Sequence, residues 1–181
     1  MQQQKISMNP KLNLLNMISA GKTLLWVDDK LNSENKSIME AAEKQGVTIV
    51  HAKSTQEGIL RFDALGDIQH YPQSHLRIIS NMTRMENENL NTNAGLEFAQ
   101  ILRRRKYIGP IVIFCGNTDR AKQALAKERL VTITNEYSVA KNYACFQQVH
   151  LQWAKSLENA NGMTFLLFRE AWIHSIRISN S

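Results

Sequence analysis

No apolar run in this sequence is long enough to cross a bilayer. The strongest, Met163 to Phe168, spans six residues, where a membrane helix needs about 20. The first residues, Met1-Gln-Gln-Gln-Lys-Ile-Ser7, hold no apolar stretch of signal-peptide length, so a cytoplasmic location is expected, with no membrane partner. Cysteine is scarce: Cys115 and Cys145 are the only two, and no spacing motif joins them. That excludes a disulfide framework and fits reduced, buried thiols. His51, His70, His75, His150 and His174 are scattered, without a His-Glu-x-x-His or Cys-x-x-Cys pattern, so no structural zinc is expected. A glycine-rich phosphate cradle is missing as well. Gly21-Lys22-Thr23 looks like the end of one, but Asn16 stands at the required first glycine and a strand follows instead of a helix. Two glycosylation-type triplets, starting at Asn35 and Asn81, are set aside for want of a secretory signal.

What is present is ordinary soluble-protein material. An apolar fraction of 43% and a charged fraction of 21% exclude a disordered chain. The net charge of +6 permits an anionic partner without requiring one. Its densest run, Arg103-Arg104-Arg105-Lys106, is placed at a helix end, where cations complement the macrodipole. An acidic partner stays open there.

The chain divides into an arm (1–21), a central domain (22–157) and an extension (158–181). In the centre, apolar runs alternate with amphipathic segments. Thr23 to Val27, Val47 to His51, Leu76 to Ser80, Ile111 to Cys115 and Leu130 to Thr134 are the expected strands. The expected helices run from Ser33 to Gln45 with a stop at Gly46, from a Ser54-Thr55 cap past Leu65, from Ala94 to about Lys106, from a Thr118 or Asp119 cap through Lys127, and from about Ser138 to Leu157. Asp67 to His75 and Met82 to Asn93 are expected to be loops. Strands and helices in this rhythm build a doubly wound, five-stranded parallel α/β sheet with helices on both faces. Ligands then sit outside the carboxyl ends of the strands. The extension, with Phe165, Leu166, Leu167, Phe168, Trp172, Ile173 and Ile176, must bury itself on its own domain or on a second copy.

Asp28 and Asp29 close the first strand side by side. Adjacent carboxylates at a sheet mouth favour a hard cation such as Mg²⁺, although acidic residues also simply begin loops.

At this point the pattern resembles the receiver domain of two-component response regulators, over residues 22–157. Leu24-Leu-Trp-Val-Asp-Asp29 is similar to the family's first strand and acidic pair, and Ile78-Ile-Ser-Asn81-Met82 to its third strand. Ala94-Gly-Leu-Glu-Phe98 resembles its third helix, and Pro110 to Gly116 its fourth strand. The resemblance implies a flavodoxin/CheY-like fold. It also locates three losses. Asn81 stands at the phosphoacceptor position, Cys115 where the family carries a hydroxyl, and Thr134-Asn135 where the family carries a lysine. A carboxamide cannot form a stable acyl phosphate, so phosphoryl transfer is not expected. Asp28 and Asp29 either hold a cation weakly, helped by Asn81 and the Met82 carbonyl, or cap the next helix and bind nothing. Arg84, in a loop longer than the family norm, is positioned to pair with either carboxylate and replace a cation.

The expected function is a phosphorylation-independent pseudo-receiver, not an enzyme, without a cofactor beyond weak Mg²⁺. It would act by protein–protein contact, with a homodimer through the extension or the fourth-helix to fifth-helix face as one form. The alternatives are a regulator still switched by phosphate or cation, a Toll/interleukin-receptor-like nucleotide hydrolase using Glu86 or Glu88, and a DNA-binding regulator. Nucleic acid is the least expected, since no helix-turn-helix segment follows the central domain.

Overall fold

The structure, a computed structural model, describes residues 21–30, 32–66, 75–128 and 130–149. In chain order its first elements are β1 (Lys22–Val27), α1 (Ser33–Glu43), β2 (Val47–Ala52), α2 (Thr55–Ala64) and β3 (Leu76–Asn81). A hairpin follows, β4 (Arg84–Glu86) and β5 (Asn89–Asn91), then α3 (Ala94–Arg104). The chain continues with β6 (Ile111–Phe114), α4 (Thr118–Leu125), β7 (Val131–Thr134) and α5 (Tyr137–Ala144).

The main sheet is parallel throughout, in the order β2-β1-β3-β6-β7. Its register aligns the strand ends: Val27 faces Ala52 and Ser80, Asn81 faces Phe114, and Phe114 faces Thr134. The strand order reverses between β1 and β3, which makes their carboxyl ends the topological switch point.

Strand residues alternate between two cores, as the two-residue period demands. Leu25, Val27, Ile78, Ile111 and Ile113 meet Phe62 of α2, Phe98 and Leu102 of α3, and Leu125 of α4. Leu24, Trp26, Ile79, Val112 and Phe114 meet Ile38 and Met39 of α1 and Ala140 and Tyr143 of α5. Each fully buried Leu, Ile, Val or Phe among them contributes about 1.5–3 kcal/mol. The five-stranded doubly wound fold is the one the sequence predicts.

Helix ends follow local chemistry. Asn32 caps α1 through the Asn35 amide, and Ser54 caps α2 through that of Glu57. Gly46, at φ 76°, ends the turn after α1. The basic run lies at the end of α3, but two of its members are used internally. Arg103 donates to the carbonyls of Tyr107 and Leu130, at 2.7 and 3.2 Å. Arg105 pairs with Asp63 at 2.8 Å.

Several boundaries differ from the expectation, and α1 and α2 stop slightly early, at Glu43 and Ala64. The segment after Met82 is not all loop, because it folds into the β4–β5 hairpin. Its two turn residues, Asn87 and Glu88, both have positive φ, 50° and 68°. That is the signature of a tight type I′ hairpin, which glycine usually announces and here does not. α3 stops at Arg104 with Lys106 at φ 63°, and α4 stops at Leu125. α5 ends at Ala144, well short of Leu157. Phe146 turns into the left-handed region at φ 57°, and the Gln147 amide bonds back to the Asn142 carbonyl at 2.9 Å. The amino-terminal arm before residue 21, residues 150–157 and the apolar extension lie outside the described residues. Among the described residues no helix is long and apolar enough to cross a membrane.

Candidate functional site

The switch point gathers Asp28, Asn81, Cys115, Thr134 and Asn135 along one edge of the sheet. Asp28 follows β1 and is fully buried. Its carboxylate accepts from the Lys30 amide at 3.0 Å and from the Asn35 side-chain amide, and the Asp28 carbonyl accepts from His51 Nε2 at 2.9 Å. Burial pushes the Asp28 carboxyl above its usual range, and the neighbouring Asp29 adds to the rise. The two hydrogen bonds oppose this without overcoming it. Asp29 has a different partner: it accepts from the Met85 amide of the hairpin at 3.0 Å. The acidic pair is thus split between the helix-α1 side and the hairpin.

Asn81 ends the central strand. Its Oδ1 is buried and has no hydrogen-bond partner, and the same holds for Asn35 Oδ1. A buried acceptor left unmet costs about 1–3 kcal/mol. The Asn81 carbonyl is satisfied by Arg84, and the Met82 carbonyl accepts from the Gly95 amide at 3.0 Å. Glycine is required at 95, where a Cβ would stand 2.8 Å from the Asn81 carbonyl oxygen and 2.9 Å from Met82 Cα. The start of α3 is therefore pressed directly against the end of β3.

Arg84 does not pair with Asp28 or Asp29, as the sequence suggested. Its ion pair is with Glu86, at 3.2 Å, and its side chain is fully buried. Nη1 donates to Ser80 Oγ at 2.7 Å and the Asn81 carbonyl at 2.6 Å. Nη2 donates to Thr55 Oγ1 at 2.7 Å and the Ala94 carbonyl at 3.1 Å. Glu86 in turn accepts from the Thr55 amide at 2.8 Å and its hydroxyl at 2.7 Å, at the start of α2. One guanidinium joins β3, the hairpin, α2 and α3. The physical reason for the correction is the hairpin: strand alternation turns residues 84 and 86 to the same inward face, beside Thr55.

Cys115 follows β6, with its amide bonded to the Thr134 carbonyl at 3.0 Å. Partial burial raises its thiol pKa. Thr134 accepts the Glu136 amide on its own hydroxyl at 3.0 Å. Two pockets flank Asn81. One, of about 210 Å³, opens toward Thr83, Cys115, Asn117 and Arg120. The other, of about 280 Å³, is lined by Asn32, Glu34, Asn35, Asn81, Cys115 and Asn135. Sequence reasoning found the residues at the strand ends but missed Asn32, Asn35 and Ser80. A polar residue at position 35, on the buried face of an amphipathic helix beside Ile38 and Ala42, was the available signal.

The donor set fits Mg²⁺ poorly. Such an ion favours carboxylates in octahedral order. Here Asp28 is committed to two amide donors, Asp29 Oδ2 and the Met82 carbonyl to one each, and the buried oxygens without a partner, on Asn35 and Asn81, are neutral carboxamides. Among the described residues no group of three or more His, Cys, Asp or Glu side chains is placed to hold a metal. The Asn81 side chain is itself a poor nucleophile for phosphoryl transfer, since a carboxamide nitrogen has its lone pair delocalised into the carbonyl.

No family model and no curated protein sequence matches the chain. Solved structures do resemble it. A response regulator receiver domain protein from Clostridium thermocellum is 17% identical, with a TM-score of 0.46 over 68% of this chain and 94% of that one. A response regulator receiver protein from Pseudomonas putida is also 17% identical, with a TM-score of 0.43 over 64% and 87% of the two chains. Counting only the main sheet, the strand order is 2-1-3-4-5, with its switch point between the first and third strands. That order is the flavodoxin-like, doubly wound parallel α/β fold.

Proposed function

We propose that this chain is a pseudo-receiver: a signalling module that acts by binding a protein partner and takes no phosphoryl group. The observation that carries this reading is Asn81, which closes the central strand at the switch point with a neutral carboxamide. The surroundings agree with it. Cys115 and Asn135 bring no cation to the site, and the nearest guanidinium, Arg84, is consumed by structural bonds to Glu86, Ser80, Thr55 and two backbone carbonyls. Phosphoryl transfer relies on positioned charge and metal; the other cation beside Asn81, Arg120, donates to Thr92 Oγ1 at 2.7 Å. What is kept is the framework around the site, including the close approach of Gly95. A scaffold held this firmly beside a site without its chemistry is what a binding role asks for.

The test is incubation of the full chain with acetyl phosphate and Mg²⁺, followed by intact mass. An unchanged mass is expected, and a phosphoryl adduct overturns the reading. For the partner, self-association is the simplest form. The solution mass of the full chain beside one cut at Asn159 measures it, and a dimer that becomes a monomer on truncation assigns the interface to the extension.

A further inference from the structure

The pocket of about 280 Å³ has an unusual lining for a site at strand ends: two of its residues carry buried acceptors that no donor meets. Asn35 Oδ1, on a residue 1% exposed, and Asn81 Oδ1 both lack a partner, and both residues line it. Asn35 spends its N–H on Asp28, which orients the carboxamide so that its oxygen is the end left over. Behind it, the buried Asp28 enters no ion pair among the described residues. Glu34 adds a second carboxylate at the wall.

Electrostatics and hydrogen-bond inventory then select the ligand. An anion meets two carboxylates of its own sign, Glu34 at the wall and Asp28 behind Asn35. A divalent metal meets a single carboxylate at the wall, Glu34, with neutral carboxamides for the rest. A protonated primary amine brings three N–H donors on a compact positive charge, which answers both unmet oxygens and the unpaired charge behind them. We propose that this pocket binds a protonated primary amine, with Asn35 Oδ1 and Asn81 Oδ1 as its acceptors. The inference rests on the reading above that the site binds and does not transfer phosphate, and it supplies the chemistry of what is bound. A free amine and the end of a partner's lysine share that chemistry.

The test follows the side-chain amide signals of Asn35 and Asn81 by NMR in the full chain at constant ionic strength. The probes are methylammonium, Nα-acetyl-lysine-N-methylamide, and tetramethylammonium as a cation without N–H donors. Saturable shifts with the first two and none with the third are expected. The tighter of the two amines assigns the source, the blocked lysine to a protein side chain and methylammonium to a small amine. Asn81→Leu should weaken binding about tenfold, and Asn81→Asp, which keeps the shape and adds charge, should tighten it about tenfold. Absence of saturation by either amine, an equal response to tetramethylammonium, or displacement of the amine by equimolar Mg²⁺ overturns the proposal. A phosphoryl adduct in the mass experiment overturns the pseudo-receiver reading instead, so the two failures are distinguishable.

Discussion

Arg84 and Glu86 lie two residues apart on β4 and close on each other at 3.2 Å, with Thr55 held by both. A guanidinium with its side chain fully buried is costly to desolvate, and burial lowers its pKa accordingly. It survives here because its bonds run to a carboxylate, two hydroxyls and two carbonyls. Removing it leaves Glu86 mostly buried without its partner. Arg84→Ala should therefore lower unfolding stability by about 3 kcal/mol. Arg84→Lys should recover little, since an ammonium cannot span the same fork of acceptors. Glu86→Gln keeps some contact with Thr55 and should cost about 1–2 kcal/mol. Urea denaturation measures all three, and a loss under 1 kcal/mol for Arg84→Ala would remove the clamp from the account.

Gly95 gives a sharper geometric test. An added Cβ meets backbone, not a flexible side-chain tip, at 2.8 and 2.9 Å. Neither the end of β3 nor the start of α3 can yield without disturbing the bonds of Arg84. Gly95→Ala should destabilise by about 2 kcal/mol even though alanine is the better helix former. Gly58, where a Cβ would come 2.9 Å from a Val27 side-chain methyl, is the natural comparison. Gly58→Ala should cost less, because side chains can adjust. Equal losses at both positions would show that the strand–helix approach is no tighter than ordinary core packing.

Much of this architecture was legible in the sequence. Thr23 to Val27 reads as a doubly buried strand because five apolar or small residues run up to Asp28, and the structure covers both faces. Ser54 and Gly46 announce helix limits by chemistry that acts within a few residues. The hairpin was not legible, since Asn87 and Glu88 take left-handed conformations without a glycine to signal it. With the hairpin hidden, the inward turn of Arg84 toward Glu86 and Thr55 was hidden too, because it depends on strand alternation. The early end of α5 was equally silent: Phe146 in the left-handed region packs against Arg77, whose guanidinium lies 4.6 Å from its ring centroid. That tertiary contact overrides a local preference no sequence window contains.

Asp28 links the site to pH. Its folded pKa is raised above the ordinary value near 3.8 by burial. The native state therefore holds a proton more firmly than the unfolded chain does, and stability falls as pH rises from the unfolded pKa through the folded one. Above that window the penalty is constant, and below it the penalty is absent. Asp28→Asn removes the titration while keeping an acceptor for the Asn35 amide. The stability gained, or the loss avoided, by that substitution should be larger at pH 7 than at pH 3.5. Denaturation curves for both proteins at the two pH values decide it. A difference that does not change with pH would mean that Asp28 carries no desolvation penalty in the folded protein.

Asn81→Asp tests what the carboxamide does for the fold as it stands. A carboxylate at this position adds a third negative charge to a sheet edge that already carries Asp28 and Asp29. Like charges gathered at a partly buried site repel, and each has already lost some of its water. The variant should lose about 1–3 kcal/mol at pH 7 in the absence of divalent cations. Mg²⁺ should return much of that loss, because a third carboxylate completes the hard-oxygen set that the natural chain lacks. The natural chain, with a neutral oxygen at 81, should show little response to Mg²⁺ in the same melting experiment. Equal stabilisation of both proteins by Mg²⁺ would place the ion elsewhere. A variant as stable as the natural chain without metal would separate position 81 from the acidic pair electrostatically.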